Sequence, residues 1–307
     1  MIELRQLHKE FGKRVAVERL DLNVPPGSIF GLLGHNGAGK STTIGMLLGQ
    51  VWPTSGSASI GGFDISRQRG QALSRVGAIF EAPVFYDYLS GWRNLEILTN
   101  YTAPVSRQRM KQVLASVGLE GRSGSNVRTY SHGMKARLAL AQALLPNPEL
   151  LILDEPANGL DPEGIHELRH TIQRLHAELG LTILLSSHQL TEVQQTCSHL
   201  AVLDRGGKVF EGTLGAALAT PEWVRLGTDN FDRAVALLQE SGLVRDSAVP
   251  NRIALAAGYH VSDAAKLLVH SGFPIHELTP QQATLEEFYL GLIKTHRSAP
   301  SPDVQPS

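Results

Sequence analysis

The sequence predicts an α/β fold in which helices cover both faces of a parallel sheet, followed by a smaller α+β domain. Two observations lead to this prediction. Four short apolar runs, "SIFGLLG", "VGAIF", "LLILDEP" and "TILLSSH", alternate with helical patterns up to about residue 218. Strands that are apolar throughout and separated by helices are typical of parallel, helix-covered sheets. After residue 220 the pattern changes to short strands and two amphipathic helices, which indicates the second domain.

The first domain is expected to span residues 1 to 218. Between about residues 85 and 148 the helical patterns "WRNLEILTNY", "RQRMKQVLASVG" and "MKARLALAQALL" follow one another without a convincing strand, so this stretch is interpreted as a helical insertion. The segment "HLAVLDRGGKVFEG" predicts a β-hairpin with Gly206 and Gly207 as its turn.

The second domain, residues 219 to 296, has the order strand, helix, strand, strand, helix, strand. Its helices align as "AVALLQESG" and "AAKLLVHSG", and both close on the Ser-Gly pair that is typical of a helix stop. A repeated βαβ unit of this size predicts a ferredoxin-like domain. It concentrates no reactive residues, which favours a structural or partner-binding role. The Pro- and Ser-rich tail, residues 297 to 307, is expected to be disordered.

The composition argues against several classes of protein. The 28 basic and 29 acidic residues nearly cancel, so the charge predicts no nucleic-acid partner. The single cysteine, Cys197, excludes an intramolecular disulfide framework and is expected in the core. The sequence has neither a signal-peptide pattern nor an apolar run long enough to cross a membrane. If the chain acts at a membrane, another chain is expected to cross it.

A glycine-rich segment carries the first chemical signal. Residues 34 to 41, Gly-His-Asn-Gly-Ala-Gly-Lys-Ser, fit the pattern G-x-x-x-x-G-K-[ST] between a strand and a helix. In that context backbone N–H groups and the helix N-terminus cradle phosphates. Lys40 is expected to bind the β- and γ-phosphates, Ser41 to ligate Mg²⁺ and Thr42 to contact the α-phosphate. The predicted nucleotide-binding residues of this segment are Gly34, Asn36, Gly37, Ala38, Gly39, Lys40, Ser41 and Thr42. The alternative, a glycine-rich turn with an incidental lysine, is disfavoured because the match is complete and correctly placed.

Two adjacent acids close the apolar run "LLILDEP". Asp154, at the carboxyl end of a buried strand, is placed to hold Mg²⁺, and Glu155 to polarise an attacking water. A solvated loop is the ordinary alternative for an Asp-Glu pair. The preceding apolar residues and the phosphate-binding segment favour the catalytic interpretation.

With these motifs in place, "YSHGMKARLALAQALL" resembles the signature loop, and the helix after it, of ABC transporter ATP-binding subunits. Ser131, His132, Gly133 and Met134 stand where the family usually has Ser-Gly-Gly-Gln. The resemblance implies that Ser131 and the Gly133 amide contact the γ-phosphate of ATP bound to a second subunit. His132, in place of a glycine, is a departure that puts a charged or bulky ring beside that phosphate.

Four further positions can be compared with the same family pattern: three match it, and Glu81 departs from it. Asp161 in "ANGLDPEG" resembles the D-loop aspartate that helps join two subunits, and His188 in "LLSSHQL" resembles the switch histidine that orients Glu155 and water. Phe11 stands where the family stacks an aromatic ring on adenine, although ordinary packing is the alternative. Glu81 replaces a glutamine that reaches Mg²⁺; a carboxylate can still ligate the ion, but it adds negative charge at the site.

The resemblance implies an ATPase that uses ATP and Mg²⁺, with Lys40, Glu155 and His188 as catalytic residues. Its expected partners are a second ATPase subunit, in a homodimer, and a separate transmembrane permease. Through the permease, the ATPase is expected to lie at the cytoplasmic face of the cell membrane. "IFEAPVFYDYLSGWRNL" and the C-terminal extension resemble the bacitracin and lantibiotic-resistance branch, which implies export of a drug, antibiotic or peptide. The alternatives are a soluble ABC-class ATPase and a non-hydrolysing nucleotide-gated module. Tandem cassettes, which would favour the first, are absent, and the intact motif residues disfavour the second.

Overall fold

The computed structural model describes residues 1–80, 84–100, 105–219, 223–248, 251–281 and 284–298. The chain divides into two compact units. The first contains Met1–Leu214 and the chain from Thr295 onward, and the second contains Gly215–Lys294.

The first unit contains two sheets and most of the helices. Its strands are β1 (Ile2–Phe11), β2 (Arg14–Val24), β3 (Ile29–Leu33), β4 (Ser55–Ile60), β5 (Phe63–Asp64), β6 (Val76–Ile79), β7 (Leu150–Asp154), β8 (Thr182–Ser187), β9 (His199–Asp204) and β10 (Gly207–Thr213). Its helices are α1 (Lys40–Leu47), α2 (Arg69–Leu73), α3 (Gly91–Thr99), α4 (Arg107–Ser116), α5 (His132–Leu144), α6 (Pro162–Leu179) and α7 (Leu190–Thr196). A short helix, α8 (Leu214–Leu218), lies where the two units join in sequence.

The central sheet has the strand order β10-β9-β3-β8-β7-β6. Strands β9, β3, β8, β7 and β6 run parallel, and β10 pairs antiparallel with β9. Every residue of β3, β7 and β8 is buried, because helices and the second sheet cover both faces. The predicted parallel, helix-covered α/β sheet is therefore confirmed, and its strand ends bring the candidate motifs to one edge.

An antiparallel sheet, in the order β2-β1-β4-β5, was missed by the sequence analysis. Its signal is a one-sided alternation: Ile2 and Leu4 are buried while the residues between and after them are exposed. Gln6, at a φ of 47°, interrupts the alternation where the β1 register shifts. Side chains from this sheet, α1 and the central sheet share one hydrophobic core.

The hairpin prediction was right about the strands and wrong about the turn. Asp204 pairs with Gly207, so the two turn residues are Arg205 and Gly206, and Gly207 already belongs to β10. Their φ angles are 51° and 85°. Both angles are positive, as a two-residue type I′ hairpin loop requires, although Arg205 carries a side chain that disfavours this conformation.

In the described residues between 84 and 148, a serine side chain caps the N-terminus of each of the three α-helices. Ser90, Ser106 and Ser131 each accept a hydrogen bond from the backbone N–H three residues later, at 3.1 Å. This bond satisfies a donor that the first helical turn leaves without an intrahelical partner.

The second unit contains β11 (Trp223–Gly227), α9 (Phe231–Glu240), β12 (Val244–Ala248), β13 (Arg252–Leu255), α10 (Val261–His270), β14 (Glu277–Gln281) and α11 (Leu285–Ser298), the last of which continues into the first unit. Its sheet has the order β12-β13-β11-β14 and is antiparallel throughout. This element order is the one the sequence predicts, while the ferredoxin-like assignment stays a prediction. In the described part of the chain, no helix is both long enough and apolar enough to traverse a bilayer.

Candidate functional site

A sharply curved loop joins β3 to α1. A Cβ atom on Gly34 would lie 2.7 Å from the Leu203 carbonyl oxygen, and one on Gly39 would lie 2.6 Å from the Ala16 carbonyl oxygen. Gly39 also has a φ of 104°, which side chains rarely tolerate. Neighbouring backbone therefore excludes any larger residue at these two positions, and the loop brings its N–H groups and the first turn of α1 together as an anion cradle.

Lys40, the first residue of α1, extends back across this cradle. Its ammonium donates to the Gly34 carbonyl oxygen at 2.6 Å and lies 3.1 Å from Glu155 Oε1. The side chain is only 5% exposed. An ammonium so far removed from water needs anionic partners, and the only carboxylate paired with it in the described chain is Glu155.

The carboxyl ends of β7 and β8 supply the next groups. The Ser186 hydroxyl donates to Asp154 Oδ1 at 2.5 Å, and the Glu155 backbone N–H donates to the same hydroxyl at 2.9 Å. Asp154 and Ser186 are both buried. Ser186 of β8 thus holds the carboxylate of Asp154, at the end of β7, and the backbone of Glu155, which follows it.

Glu155 connects the cradle to His188. While Oε1 faces Lys40, Oε2 lies 2.7 Å from His188 Nδ1. Glu155 holds a φ of 47°, an uncommon conformation for a residue with a side chain. The structure therefore brings together the three predicted catalytic residues, Lys40, Glu155 and His188, around one carboxylate.

A pocket of about 350 Å³ opens over the cradle. The described residues that line it are Phe11, Arg14, Ala16, Asn36, Gly37, Gly39, Lys40, Ser41, Thr42 and Glu155. Phe11 is exposed, and the Lys9 ammonium lies 4.7 Å from the centre of its ring, as in a cation–π contact. The ring stands at the pocket wall, as the stacking interpretation requires.

Arg14 is a pocket residue that the sequence analysis missed. One of its guanidinium nitrogens would lie 3.7 Å from a Cβ atom on Gly37, so the charge stands directly beside the anion cradle. No sequence pattern identifies it, because only the packing of β2 against the glycine loop brings it there.

The oxygen donors near Glu155 fit Mg²⁺. Ser41 and Asp154 line the same cavity, of about 410 Å³, as Glu155 does. A hydroxyl and a carboxylate are hard oxygen ligands of the kind Mg²⁺ takes, with water and phosphate completing its shell. Among the described residues no group of three or more His, Cys, Asp or Glu side chains gathers as a metal site. Glu81, the other predicted metal ligand, lies outside the described residues.

The remaining predicted residues stand at the starts of two packed helices. Ser131 begins α5, and Asp161 begins α6 by accepting from the Gly164 N–H at 3.0 Å. Gly133 and Gly164 face each other closely: a Cβ atom on Gly133 would lie 3.3 Å from the Gly164 Cα. Neither Ser131, Gly133 nor Asp161 is among the described residues that line the pocket over Lys40.

The glycine loop is also braced from behind, by contacts that the sequence analysis did not anticipate. His35 Nε2 lies 2.9 Å from Oδ1 of Asp204, a buried carboxylate at the end of β9, and His296 Nδ1 lies 3.5 Å from Oδ2. The Gly206 N–H donates to the Ala38 carbonyl at 3.1 Å. The β9–β10 turn therefore contributes to the shape of the cradle.

Comparison with known proteins identifies the family of the chain. The family profile "ABC transporter" matches residues 17–158. The bacitracin transport ATP-binding protein BcrA of Bacillus licheniformis is 36% identical over 298 residues, which cover 95% of this chain and 97% of that protein. This chain belongs to the ABC transporter ATP-binding proteins.

Other members of the family resemble this ATP-binding protein over about 70% of its length. The lantibiotic transport ATP-binding protein SrtF of Streptococcus pyogenes is 42% identical over 214 residues, which are 70% of this chain and 89% of that protein. Among solved structures, an ATP-binding subunit of an ABC transporter is 31% identical, with a TM-score of 0.62, over 71% of this chain and 91% of that one. The fold is also that of the cassette MJ0796, solved as a dimer with ADP and phosphate, with a TM-score of 0.61 over 70% of this chain and 99% of that one.

A half-buried carboxyl, Glu192, and a buried thiol, Cys197, have shifted pKa values in this ABC protein. Burial raises the pKa of the Glu192 carboxyl, although a hydrogen bond from the Ser187 hydroxyl opposes the shift. Burial also raises the pKa of the Cys197 thiol, which keeps it protonated and inert. The expected core position of Cys197 is confirmed.

Proposed function

We propose that this ABC ATPase hydrolyses Mg²⁺-ATP as a homodimer and thereby drives a separate membrane permease that exports a drug, an antibiotic or a peptide. The observation that carries the proposal is the position of Glu155, between Lys40 at 3.1 Å and His188 at 2.7 Å, at the wall of a phosphate-sized cradle. Two relatives are named as bacitracin transport and lantibiotic transport proteins, and these names support an antibiotic or a peptide as the cargo.

In this proposal, the ion pair between Lys40 and Glu155 is the contact that ATP replaces. The γ-phosphate of ATP is a competing anion, so Lys40 exchanges the carboxylate for phosphate oxygens when nucleotide enters. Glu155 then retains His188 and has a free oxygen, which accepts a proton as the attacking water reaches the γ-phosphorus. Ser41 and Asp154 would hold Mg²⁺, which would supply neutralisation of the charge on the phosphates.

Dimerisation completes the site in this proposal. Ser131, Gly133 and Asp161 lie at the starts of α5 and α6, and none lines the pocket of its own chain in the described residues. They are therefore available to a second copy. Helix N-termini favour anions, so α5 of one chain binds the γ-phosphate held by the other. Hydrolysis removes the group bound from both sides, and the dimer opens.

The permease is proposed to dock beside α3 and to place the ATPase at the cytoplasmic face of the cell membrane. Val84, Tyr86 and Tyr88 are large apolar side chains exposed within five residues, and such patches mark interaction sites. Asp87, between the tyrosines, pairs with Lys135 in the first turn of α5 at 3.0 Å. The contact links the proposed docking loop to the helix that approaches nucleotide in the partner subunit.

The test is Glu155→Gln in the purified full-length chain. An amide cannot accept the proton from water, so steady-state hydrolysis should fall by about 10²-fold or more, while ATP still binds. Because the nucleotide is no longer cut, size-exclusion chromatography with light scattering should find a dimer in Mg²⁺-ATP.

Glu178→Gln is the matched control, since Glu178 is an exposed residue of α6 and its loss should leave both readouts unchanged. Rapid turnover by Glu155→Gln would disprove the assigned base. Failure of the wild-type chain to bind Mg²⁺-ATP would contradict the proposed function, and it would also contradict the soluble ABC-class ATPase and the nucleotide-gated module. Co-purification with soluble proteins and not with a membrane protein would favour the soluble ABC-class ATPase.

A further inference from the structure

Two histidines stand one turn apart on the surface of α6. His166 and His170 are exposed, and their Nε2 atoms lie 3.1 Å apart. The rings meet edge to face, with centroids 4.3 Å apart and an interplanar angle of 62°. This places two imidazole nitrogens side by side at one exposed point of the surface.

We propose that His166 and His170 form a binding site for a divalent transition-metal ion of the zinc type, separate from the Mg²⁺ site. Zinc binds imidazole nitrogen at about 2.0–2.1 Å. At that length, two nitrogens 3.1 Å apart subtend an angle of about 100° at the ion. The value is close to tetrahedral, so an ion binds without a change of backbone and with small ring rotations.

The five residues from His166 to His170 read H-E-L-R-H, the spacing by which one helix face presents two zinc ligands in metalloproteases. The structure excludes the protease interpretation and leaves the metal site. Glu167, which would be the general base, is paired with Arg137 of α5 at 3.1 Å. No third His, Cys, Asp or Glu among the described residues completes a cluster with the histidines. The other coordination positions of the ion therefore belong to water.

The competing account is a simple hydrogen bond, in which one neutral ring donates its Nε2 proton to the other. Both accounts use the same two atoms, but they differ in response to metal. For zinc to bond to both Nε2 atoms, the donating ring must move its proton to Nδ1 or release it to water. Zinc binding should therefore break the hydrogen bond and depend on both rings, whereas a pair kept only by the hydrogen bond should show no such dependence. Because both ligands lie on one helix, a bound ion also holds two successive turns of α6 together.

The experiment is isothermal titration of zinc chloride into the tag-free, nucleotide-free, full-length chain after treatment with a chelator. Wild type should bind one zinc ion that depends on both histidines. Loss of an outer-shell partner alone weakens metal binding about 10- to 100-fold, so His166→Ala or His170→Ala should weaken it by at least about tenfold. His270→Ala is the control, because His270 is an exposed histidine of α10 with a lysine, Lys266, one turn earlier. It should bind zinc as wild type does.

Zinc binding that is equal in wild type and in the two α6 variants would overturn the proposal, as would the absence of binding by wild type. Circular dichroism of each variant establishes that it is folded. A second measurement needs no variant: zinc should shift the ¹⁵N resonances of Nε2 in two histidine rings of the wild-type chain. A spectrum without such shifts at saturating zinc also overturns the proposal.

Discussion

The two units of the molecule differ in their most buried ion pairs, although both units also have exposed pairs. In the first unit Lys40 is 5% exposed and its partner Glu155 20% exposed. In the second, the pairs Arg225–Glu277 and His276–Asp229 lie at the surface, with 41% or more of each side chain exposed. Pairs in water contribute little to stability, whereas charges withdrawn from water respond strongly to a new anion. The first unit therefore has a buried ion pair that can respond to a phosphate anion, whereas the exposed pairs of the second unit should respond much less.

Buried polar groups divide in the same way. Within the described residues, every polar or charged residue that is buried as a whole belongs to the first unit, whereas the second unit has an apolar core and buries only single polar atoms, among them Thr228 Oγ1 and Gln281 Oε1. Burying a polar group costs free energy unless it is paired, and the first unit accepts that cost where Asp154, Ser186 and Lys40 meet. We therefore expect substitutions in the first unit to change chemistry and those in the second to change stability.

Lys40→Ala should have the largest effect. It removes the cation of the cradle and leaves the Gly34 carbonyl and Glu155 without their partner, so hydrolysis should be lost and ATP affinity should fall by about 10²-fold or more. Fluorescent-nucleotide titration and phosphate release measure both. Lys266→Ala, at an exposed residue of the second unit, removes the same group and should change neither. Retention of wild-type affinity by Lys40→Ala would contradict the assigned role of the ammonium.

Leu238→Ala tests the packing unit. Leu238 lies fully buried in the core of the second unit, so the cavity should lower the free energy of unfolding by about 2–5 kcal/mol. Urea denaturation measures the loss. ATP hydrolysis by the folded variant, assayed at low temperature, should equal that of wild type. A parallel loss of hydrolysis would show that the second unit takes part in the reaction and would break the comparison.

Ser131→Ala and Ser106→Ala are matched helix-cap substitutions within the first unit. Each removes a 3.1 Å hydrogen bond to the first turn of a helix, so each should cost about 1 kcal/mol of stability. Only Ser131 is proposed to contact nucleotide in the partner subunit. Hydrolysis should therefore fall in Ser131→Ala alone, and equal ATPase rates in the two variants would contradict the role of α5.

Glu192→Gln should have the smallest effect, a gain of about 1 kcal/mol or less at neutral pH. Burial raises the pKa of Glu192, so the folded state binds this proton more tightly than the unfolded state does, and stability falls as pH rises through the folded pKa. Glutamine has no charge to bury. The advantage of the variant in thermal unfolding should grow between about pH 4 and pH 7, and an advantage that shrinks over this range would contradict the assigned cause.

Much of the fold could be predicted because its signals are local. Runs of apolar residues predicted β3, β7 and β8, and helical patterns predicted the helices between residues 85 and 148. The antiparallel sheet was missed because its strands are buried on one face only and β1 is interrupted at Gln6. The hairpin turn was placed one residue late, since two glycines in sequence do not reveal which pair adopts positive φ.

The sequence by itself determined which residues carry the chemistry, because the glycine loop with Lys40 and the acids after β7 are contiguous motifs whose chemistry depends on residue type and order. Only the tertiary structure decided that Lys40 and His188 share the carboxylate of Glu155, that Arg14 stands beside Gly37 and that Asp204 supports His35. These contacts join distant parts of the chain. The contacts of Glu155 and Asp204 form only when parallel strands bring their carboxyl ends to one edge of a sheet, and that of Arg14 only when β2 packs against the glycine loop; no local spacing in the sequence encodes either meeting.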